Sequence, residues 1–393
     1  MEPAVRRHSP QHPLAFGSLR SWLRLRRENP AIDWRYRDRE LFVVLVGLLT
    51  LPLRILERSW YDRHRAAPAL RDPPIFIIGH WRTGTTFLHG LLSADPQLGY
   101  VTLYQTIAPG AFWSGRRTVK PVIALLAPRK RMMDDIVLTI DGAQEEEWAL
   151  ANLSPYSFYH HWSFPRNARY YFTRYALFEG VPESVQREWK ALYRAVLQKA
   201  GARMAGRRLV LKNPTNTGRL PILLELFPDA KFIFLYRDPY ATFQSSLHFH
   251  QKILEVAQLQ ELSDEELEDN ILGFYRLLLQ KYLADKSLIP PGNLVEVRYE
   301  DLEAQPLATV QRTYETLCLP YTSAAQTAFR AHLESQKNYT KNTFVLSDKV
   351  VQKVNRHWRF AFETWGYPLV NDMGYTELRS QPAISTLRPV ASQ

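Results

Sequence analysis

Short apolar runs without polar alternation punctuate the chain, separated by longer segments in which apolar residues recur at helical spacing. Residues 75–78 (Ile-Phe-Ile-Ile) lie between Pro74 and Gly79, and residues 209–211 (Leu-Val-Leu) run into Lys212. Residues 231–236 follow the turn Pro228-Asp229, and residues 294–302 follow Pro290-Pro-Gly292. Runs of this kind predict strands covered on both faces, as in a parallel sheet. Residues 100–103 predict one more short strand. Helix periodicity begins at Thr85 and recurs over residues 220–227 and 270–285. Strands alternating with helices give an α/β fold, a parallel sheet flanked by crossover helices.

The segment after the first run states a chemistry. Gly79 and Gly84 enclose four residues, as in a P-loop, but Thr85 stands where the phosphate-binding lysine of such a loop would be. Arg82 supplies a cation from within the loop, and a helix opening at Thr85-Thr86 points free amides and its positive dipole end at an anion. Lys212 ends a second strand and Arg237 a third, and strand C-terminal ends in such sheets lie along one ligand-binding edge. Pro239 suits the first turn of a helix, which places Ser245 about two turns in. The constellation is a concave cationic site for a nucleotide that needs no metal, and no metal ligand set is expected.

Arg82-Thr-Gly-Thr-Thr86 after a strand resembles the phosphosulfate loop of sulfotransferases that use 3′-phosphoadenosine 5′-phosphosulfate (PAPS). Arg237 with Ser245 is similar to that family's clamp on the donor's 3′-phosphate, and Tyr299-Glu-Asp-Leu302 to a structural segment of it. The resemblance implies a P-loop-like sulfotransferase fold and sulfuryl transfer from PAPS to an acceptor hydroxyl or amine. It further implies donor contacts from Arg82, Thr83, Gly84, Thr85, Thr86, Arg237 and Ser245, with Lys212 stabilising the bridging oxygen. Two known bases of the family are missing: Pro214 occupies the place of the cytosolic enzymes' histidine, and Thr102-Leu103 that of the tyrosylprotein enzymes' glutamate. Gln144-Glu-Glu-Glu-Trp-Ala-Leu150 is similar to a Gln-Glu-Asp-Glu signature of a bacterial branch, which makes Glu145 or Glu147 the expected base and His160 or His161 the fallback. The late Arg-Lys-Gly phosphate contact of the cytosolic members is absent, leaving Lys337, Lys341 or Lys349 as substitutes.

Charge and composition change the picture at the N-terminus. The chain of 393 residues carries 50 Lys and Arg against 39 Asp and Glu, net +11, with many arginines before residue 40. No nucleic-acid recognition motif accompanies them, so an anionic membrane surface or a polyanionic ligand is the better match. Residues 41–53 are apolar but interrupted by Thr50 and Pro52, well short of the ~20 residues of a membrane span. They are expected to cover the core, the other role open to them being to lie on an anionic membrane. The single cysteine, Cys318, is expected to be a buried thiol and agrees with a cytoplasmic location. The expected organisation is a basic helical extension over 1–72, a sulfotransferase domain over 73–375 and an irregular tail over 376–393. Aromatic residues between 156 and 178 suit a sugar, phenol, lipid or hydroxylated metabolite as acceptor. Competing readings are a P-loop nucleotide kinase or NTPase, which Thr85 argues against, and a non-catalytic membrane-associated module built on the N-terminal region.

Overall fold

The structure, a computed structural model, describes residues 11–61, 70–126, 137–337 and 346–370. The expected tail over 376–393 and Lys341 lie outside those residues. Five parallel strands, β1 (Ile75–Gly79), β2 (Leu98–Gly99), β3 (Arg208–Lys212), β4 (Lys231–Tyr236) and β5 (Leu294–Arg298), lie in the order β2-β3-β1-β4-β5. Ile75 is in register with Val210 on one side and Lys231 on the other. Successive strand residues point to opposite faces. Phe76 and Ile78 therefore join one core with Leu211, Phe232 and Phe234, while Ile75 and Ile77 join another with Val210, Ile233 and Leu235.

Burial on both faces explains the unbroken apolar runs of the central strands. The expected strand at residues 100–103 is displaced. Pairing stops at Gly99, because Thr102 caps the helix Leu103–Ile107: its hydroxyl accepts from the Gln105 amide while the Gln105 side chain accepts from the Thr102 amide. That reciprocal pair satisfies two donors that an extended continuation would leave to the sheet edge.

The N-terminal region holds α1 (Leu19–Glu28), α2 (Arg37–Leu49) and α3 (Leu51–Leu56). Trp22 and Leu25 of α1 enter the main core. The expectation that residues 41–53 cover the core fails for most of their leucines: Arg39, Val43 and Gly47 of α2 face inward, whereas Leu41, Leu45, Leu48 and Leu49 are exposed. Among the described residues no helix is long and apolar enough to cross a membrane.

The site is framed by α4 (Thr85–Leu92), α5 (Val119–Leu126), α6 (Glu147–Leu153), α7 (Pro239–Ala257), α8 (Asp264–Asp285) and α9 (Asp348–Trp365). Helix α9 packs on α8: Trp358 stacks on Tyr275 at 3.7 Å and donates to the Leu272 carbonyl at 2.9 Å. The segment before α8 is less exposed than its polarity suggests, since Leu259 and Gln260 are buried and the Gln260 amide donates to Ala31 O at 2.7 Å. Cys318 is exposed rather than buried, and its φ of 51° marks the turn that follows the helix Pro306–Thr316.

Several histidines are sealed inside. Burial lowers His12, His80 and His89 from 6.5 to about 3, and His160 and His250 to about 4. These groups stay neutral in the folded chain while the unfolded chain takes up protons below pH 6.5. Their contribution is fully present above that value and is lost as pH falls toward 4, by up to ~1.4 kcal/mol per pH unit for each histidine. Urea midpoints are therefore expected to drop steeply from about pH 6.5 to about pH 5. A flat profile across that window would show that these rings are not held neutral.

Candidate active site

The loop between β1 and α4 is built by conformations that few residues tolerate. Gly79 has φ +138°, and a Cβ there would sit 2.4 Å from the Leu235 carbonyl oxygen of the neighbouring strand. Gly84 has φ +92°, and a Cβ there would drive into the Tyr299 ring at 2.2 Å. Arg82 adopts φ 70° although it carries a side chain, a left-handed conformation that costs on the order of 1–2 kcal/mol. Two contacts hold it. Its Nε donates to Ser245 Oγ at 2.9 Å, and its carbonyl accepts from Arg237 Nη1 at 3.1 Å. The Thr83 hydroxyl turns inward to the His80 carbonyl at 2.7 Å, and Thr217 bridges both main-chain groups of Gly79 at 2.8 and 2.9 Å. The start of α4, at Thr85 and Thr86, lines the cavity in front of the loop.

That cavity, about 660 Å³, lies at the C-terminal ends of the strands. Arg82, Gly84, Thr85, Thr86, Arg237 and Ser245 line it, so the structure brings together the loop and the predicted clamp. Arg237 also lies over the Tyr299 ring at 4.4 Å, which steadies its guanidinium. Trp81, Tyr100, Leu103, Val137, Leu138 and Phe249 give the same cavity apolar walls.

The three consecutive glutamates have three different environments, set by where α6 begins. Glu145 lines the cavity; one of its oxygens accepts from Lys212 Nζ and the other from the Tyr159 hydroxyl. Burial, and then the Glu145 carboxylate, hold the Tyr159 phenol well above its ordinary value, so it stays a donor. Glu146 is buried and accepts from Tyr193 at 2.8 Å and Asn216 at 2.8 Å, with burial raising its pKa. Glu147 is also fully buried. Its carboxylate takes a two-pronged contact from Arg219 at 2.6 and 3.0 Å and accepts from Ser157 at 2.7 Å and Asn213 at 2.9 Å. Burial works to raise Glu147, but the Arg219 charge and these hydrogen bonds outweigh it and hold the carboxyl below its ordinary value.

Glu147 therefore does not reach the cavity. His160 and His161 do not line it either: His160 Nε2 meets the Ser154 carbonyl at 2.8 Å, and His161 stacks on Phe158 at 3.9 Å. Lys337 pairs with Glu334 and Lys349 sits on α9, and neither lines the cavity. Tyr159 was one aromatic among many in its segment, and nothing in the residues around Arg219 or Asn213 marked them as partners of the glutamates. Among the described residues no group of three or more His, Cys, Asp and Glu stands at metal-holding distance.

A glycine-built anion loop, two arginines and a lysine paired with a carboxylate suit the displacement of a group carried on phosphate. The sequence profile described as "Sulfotransferase family" matches residues 73–323. The chain belongs to the sulfotransferase family. It is 32% identical over 362 residues to the omega-hydroxy-beta-dihydromenaquinone-9 sulfotransferase Stf3 of Mycobacterium bovis and of Mycobacterium tuberculosis, covering 90% of this chain and 91% of the relative. Two solved sulfotransferases share the fold. STF9 of Mycobacterium avium aligns with TM-score 0.65 at 20% identity, covering 87% of this chain and 88% of its own. STF1 of Mycobacterium tuberculosis aligns with TM-score 0.61 at 21% identity, covering 88% and 94%. This sulfotransferase is thus a transferase of sulfuryl groups on the P-loop-like α/β fold expected from its strands.

Proposed function

We propose that this sulfotransferase moves the sulfuryl group of PAPS onto a hydroxyl of an apolar, lipid-like acceptor, with Glu145 as general base. The observation that carries the reading is Glu145, which lines the cavity that also receives the glycine-built loop and accepts from Lys212 and Tyr159, two buried side chains that do not themselves line it. Arg82, the Thr85 and Thr86 hydroxyls and the amides of Thr83 to Thr86 suit the 5′-phosphosulfate. Arg237 and Ser245 suit the 3′-phosphate, where a planar guanidinium and a hydroxyl give paired contacts to a phosphate monoester.

The donor's sulfur is attacked by the acceptor oxygen while the bond from sulfur to the bridging phosphate oxygen breaks. The electron pair stays on the phosphate of adenosine 3′,5′-bisphosphate. Glu145 takes the hydroxyl proton, and its carboxylate has lone pairs beyond the two engaged by Lys212 and Tyr159. The Lys212 ammonium, almost wholly buried, offers its charge to the departing oxygen with little competition from water.

The acceptor class rests on two supports. The cavity's walls are rich in aromatic and aliphatic side chains. The Mycobacterium relatives are named for a hydroxylated dihydromenaquinone. Incubation with PAPS and a terminally hydroxylated polyprenyl lipid is expected to yield a sulfated product by mass spectrometry, with much less product from a small phenol or a sugar. The reverse preference would sink the lipid reading. Calorimetry without Mg²⁺ is expected to detect adenosine 3′,5′-bisphosphate and not ATP, and Arg237→Ala to weaken it by roughly tenfold to a hundredfold, in line with a charge-assisted contact. Equal binding of ATP would point back to a nucleotide kinase.

A further inference from the structure

The helices α2 and α3 are attached largely through charge. Beside Val43 and Leu53, their inward side carries two arginines: Arg39 is 1% exposed and donates to the Gln258 carbonyl at 2.8 Å, and Arg54 donates to the carbonyls of Gly17 and Gly47. Glu57, just beyond α3, is 2% exposed and accepts from the amides of Trp113 and Ser114 at 3.0 and 2.9 Å. The outward side is apolar. Leu41, Leu45, Leu48 and Ile55 are each more than half exposed, with Pro52 also exposed among them.

Those positions recur at steps of four, three, four and three residues, one continuous helical stripe. At the helical rise it runs about 21 Å. Leu49 is 79% exposed beside it, and Trp34 and Trp60 stand exposed beyond its two ends. A surface helix of a soluble protein ordinarily turns such a stripe to the core, so an exposed one marks an interaction surface.

A second helix presents the same character. Val119 and Ile123 of α5 pack inward on Tyr104 and Phe112, in the small core that Leu53 and Ile140 also join, while Val122, Leu125 and Leu126 face out. Residues 103–126 carry Arg116, Arg117 and Lys120 and no acidic residue, and Arg116 and Arg117 are exposed. Arg37 and Arg58 are exposed at the ends of α2–α3. Val137 and Leu138, close in the chain to Ile140 of that small core, line the catalytic cavity.

We infer that this face docks the enzyme on an anionic lipid bilayer. Leucines at helical spacing would enter the acyl boundary, tryptophans would sit at the headgroup level, and the flanking arginines would meet lipid phosphate. The stripe is too short to span, and Arg39 and Arg54 tie its inner side to the protein, so it lies in the plane of the interface. The inference rests on the reading of a lipid acceptor and extends it: the substrate would enter the cavity from the bilayer on which the enzyme sits.

The test is co-sedimentation of the full chain with vesicles of phosphatidylglycerol and, separately, of phosphatidylcholine. Binding is expected on phosphatidylglycerol, at least about tenfold stronger than on phosphatidylcholine. The double variant Leu45→Glu/Leu48→Glu is expected to bind about tenfold or more weakly, with its urea midpoint unchanged because both positions are exposed. A wild-type chain that stays in the supernatant overturns the inference, and so does a double variant that binds like wild type. A wild-type dimer in analytical ultracentrifugation that the double variant breaks, without vesicle binding, gives the face to a second copy of the chain and also overturns it. Adenosine 3′,5′-bisphosphate titrations run alongside report on the donor reading independently. Vesicle binding with no nucleotide binding would count against the proposed donor, not against the docking face.

Discussion

Glu145→Gln is expected to lower kcat by roughly a hundred- to ten-thousand-fold, the range for losing a positioned general base. Binding of adenosine 3′,5′-bisphosphate should stay within about threefold, because the amide keeps the size of the carboxyl and removes mainly the proton acceptor. The Lys212 ammonium then loses its carboxylate partner in a nearly closed site. Lys212→Met should therefore also cut kcat strongly, but for a different reason: the leaving oxygen loses its cation. The two can be told apart by changing the acceptor. A more acidic hydroxyl needs less help from a base, so it should recover part of the Glu145→Gln loss and little of the Lys212→Met loss. A Glu145→Gln enzyme within about tenfold of wild-type turnover would remove Glu145 from the mechanism. Tyr159→Phe should have a smaller effect, since the phenol positions the carboxylate without touching the reacting atoms.

The loop and clamp residues that the structure brings to one cavity were legible in the chain, and the order among the three glutamates was not. Gly79, Gly84 and Arg82 announce themselves because a tight anion loop admits few residue types, and strand-end cations at Lys212 and Arg237 follow from where a parallel sheet keeps its ligands. The run of Glu145, Glu146 and Glu147 carries no internal ranking, because three identical side chains differ only in what tertiary structure puts opposite each. Asn213 arrives from the residue after β3, Arg219 from the end of the turn that follows and Tyr193 from a distant helix, at separations of 47 to 72 residues. No local pattern encodes that. The helix at residues 41–53 failed for a related reason. Its apolar content was visible, but hydrophobicity alone does not say which side faces inward when buried arginines make the attachment. The short strand at Leu98 moved because a capping box four residues later competes for the same backbone.

Glu147→Gln is expected to destabilise the fold by about 3–5 kcal/mol while leaving turnover of the folded fraction within about tenfold of wild type. Both partners are wholly inaccessible, and Arg219 has committed its guanidinium to Glu147, to the Tyr175 carbonyl and to the faces of Trp189 and Phe178 at 4.9 and 5.5 Å. Removing the negative charge leaves a buried cation that no water can reach, a loss larger than that of the contact itself. Arg219→Met leaves the converse, a buried carboxylate that must take up a proton, and should cost a similar amount at neutral pH. The double variant Glu147→Leu/Arg219→Met should then be more stable than either single variant, because burying two charges has its own desolvation cost. Urea unfolding of the four proteins measures this directly. Additive losses in the double variant would mean that the two side chains act independently. A Glu147→Gln protein with a wild-type midpoint but no turnover would return Glu147 to the chemistry, against its burial away from the cavity.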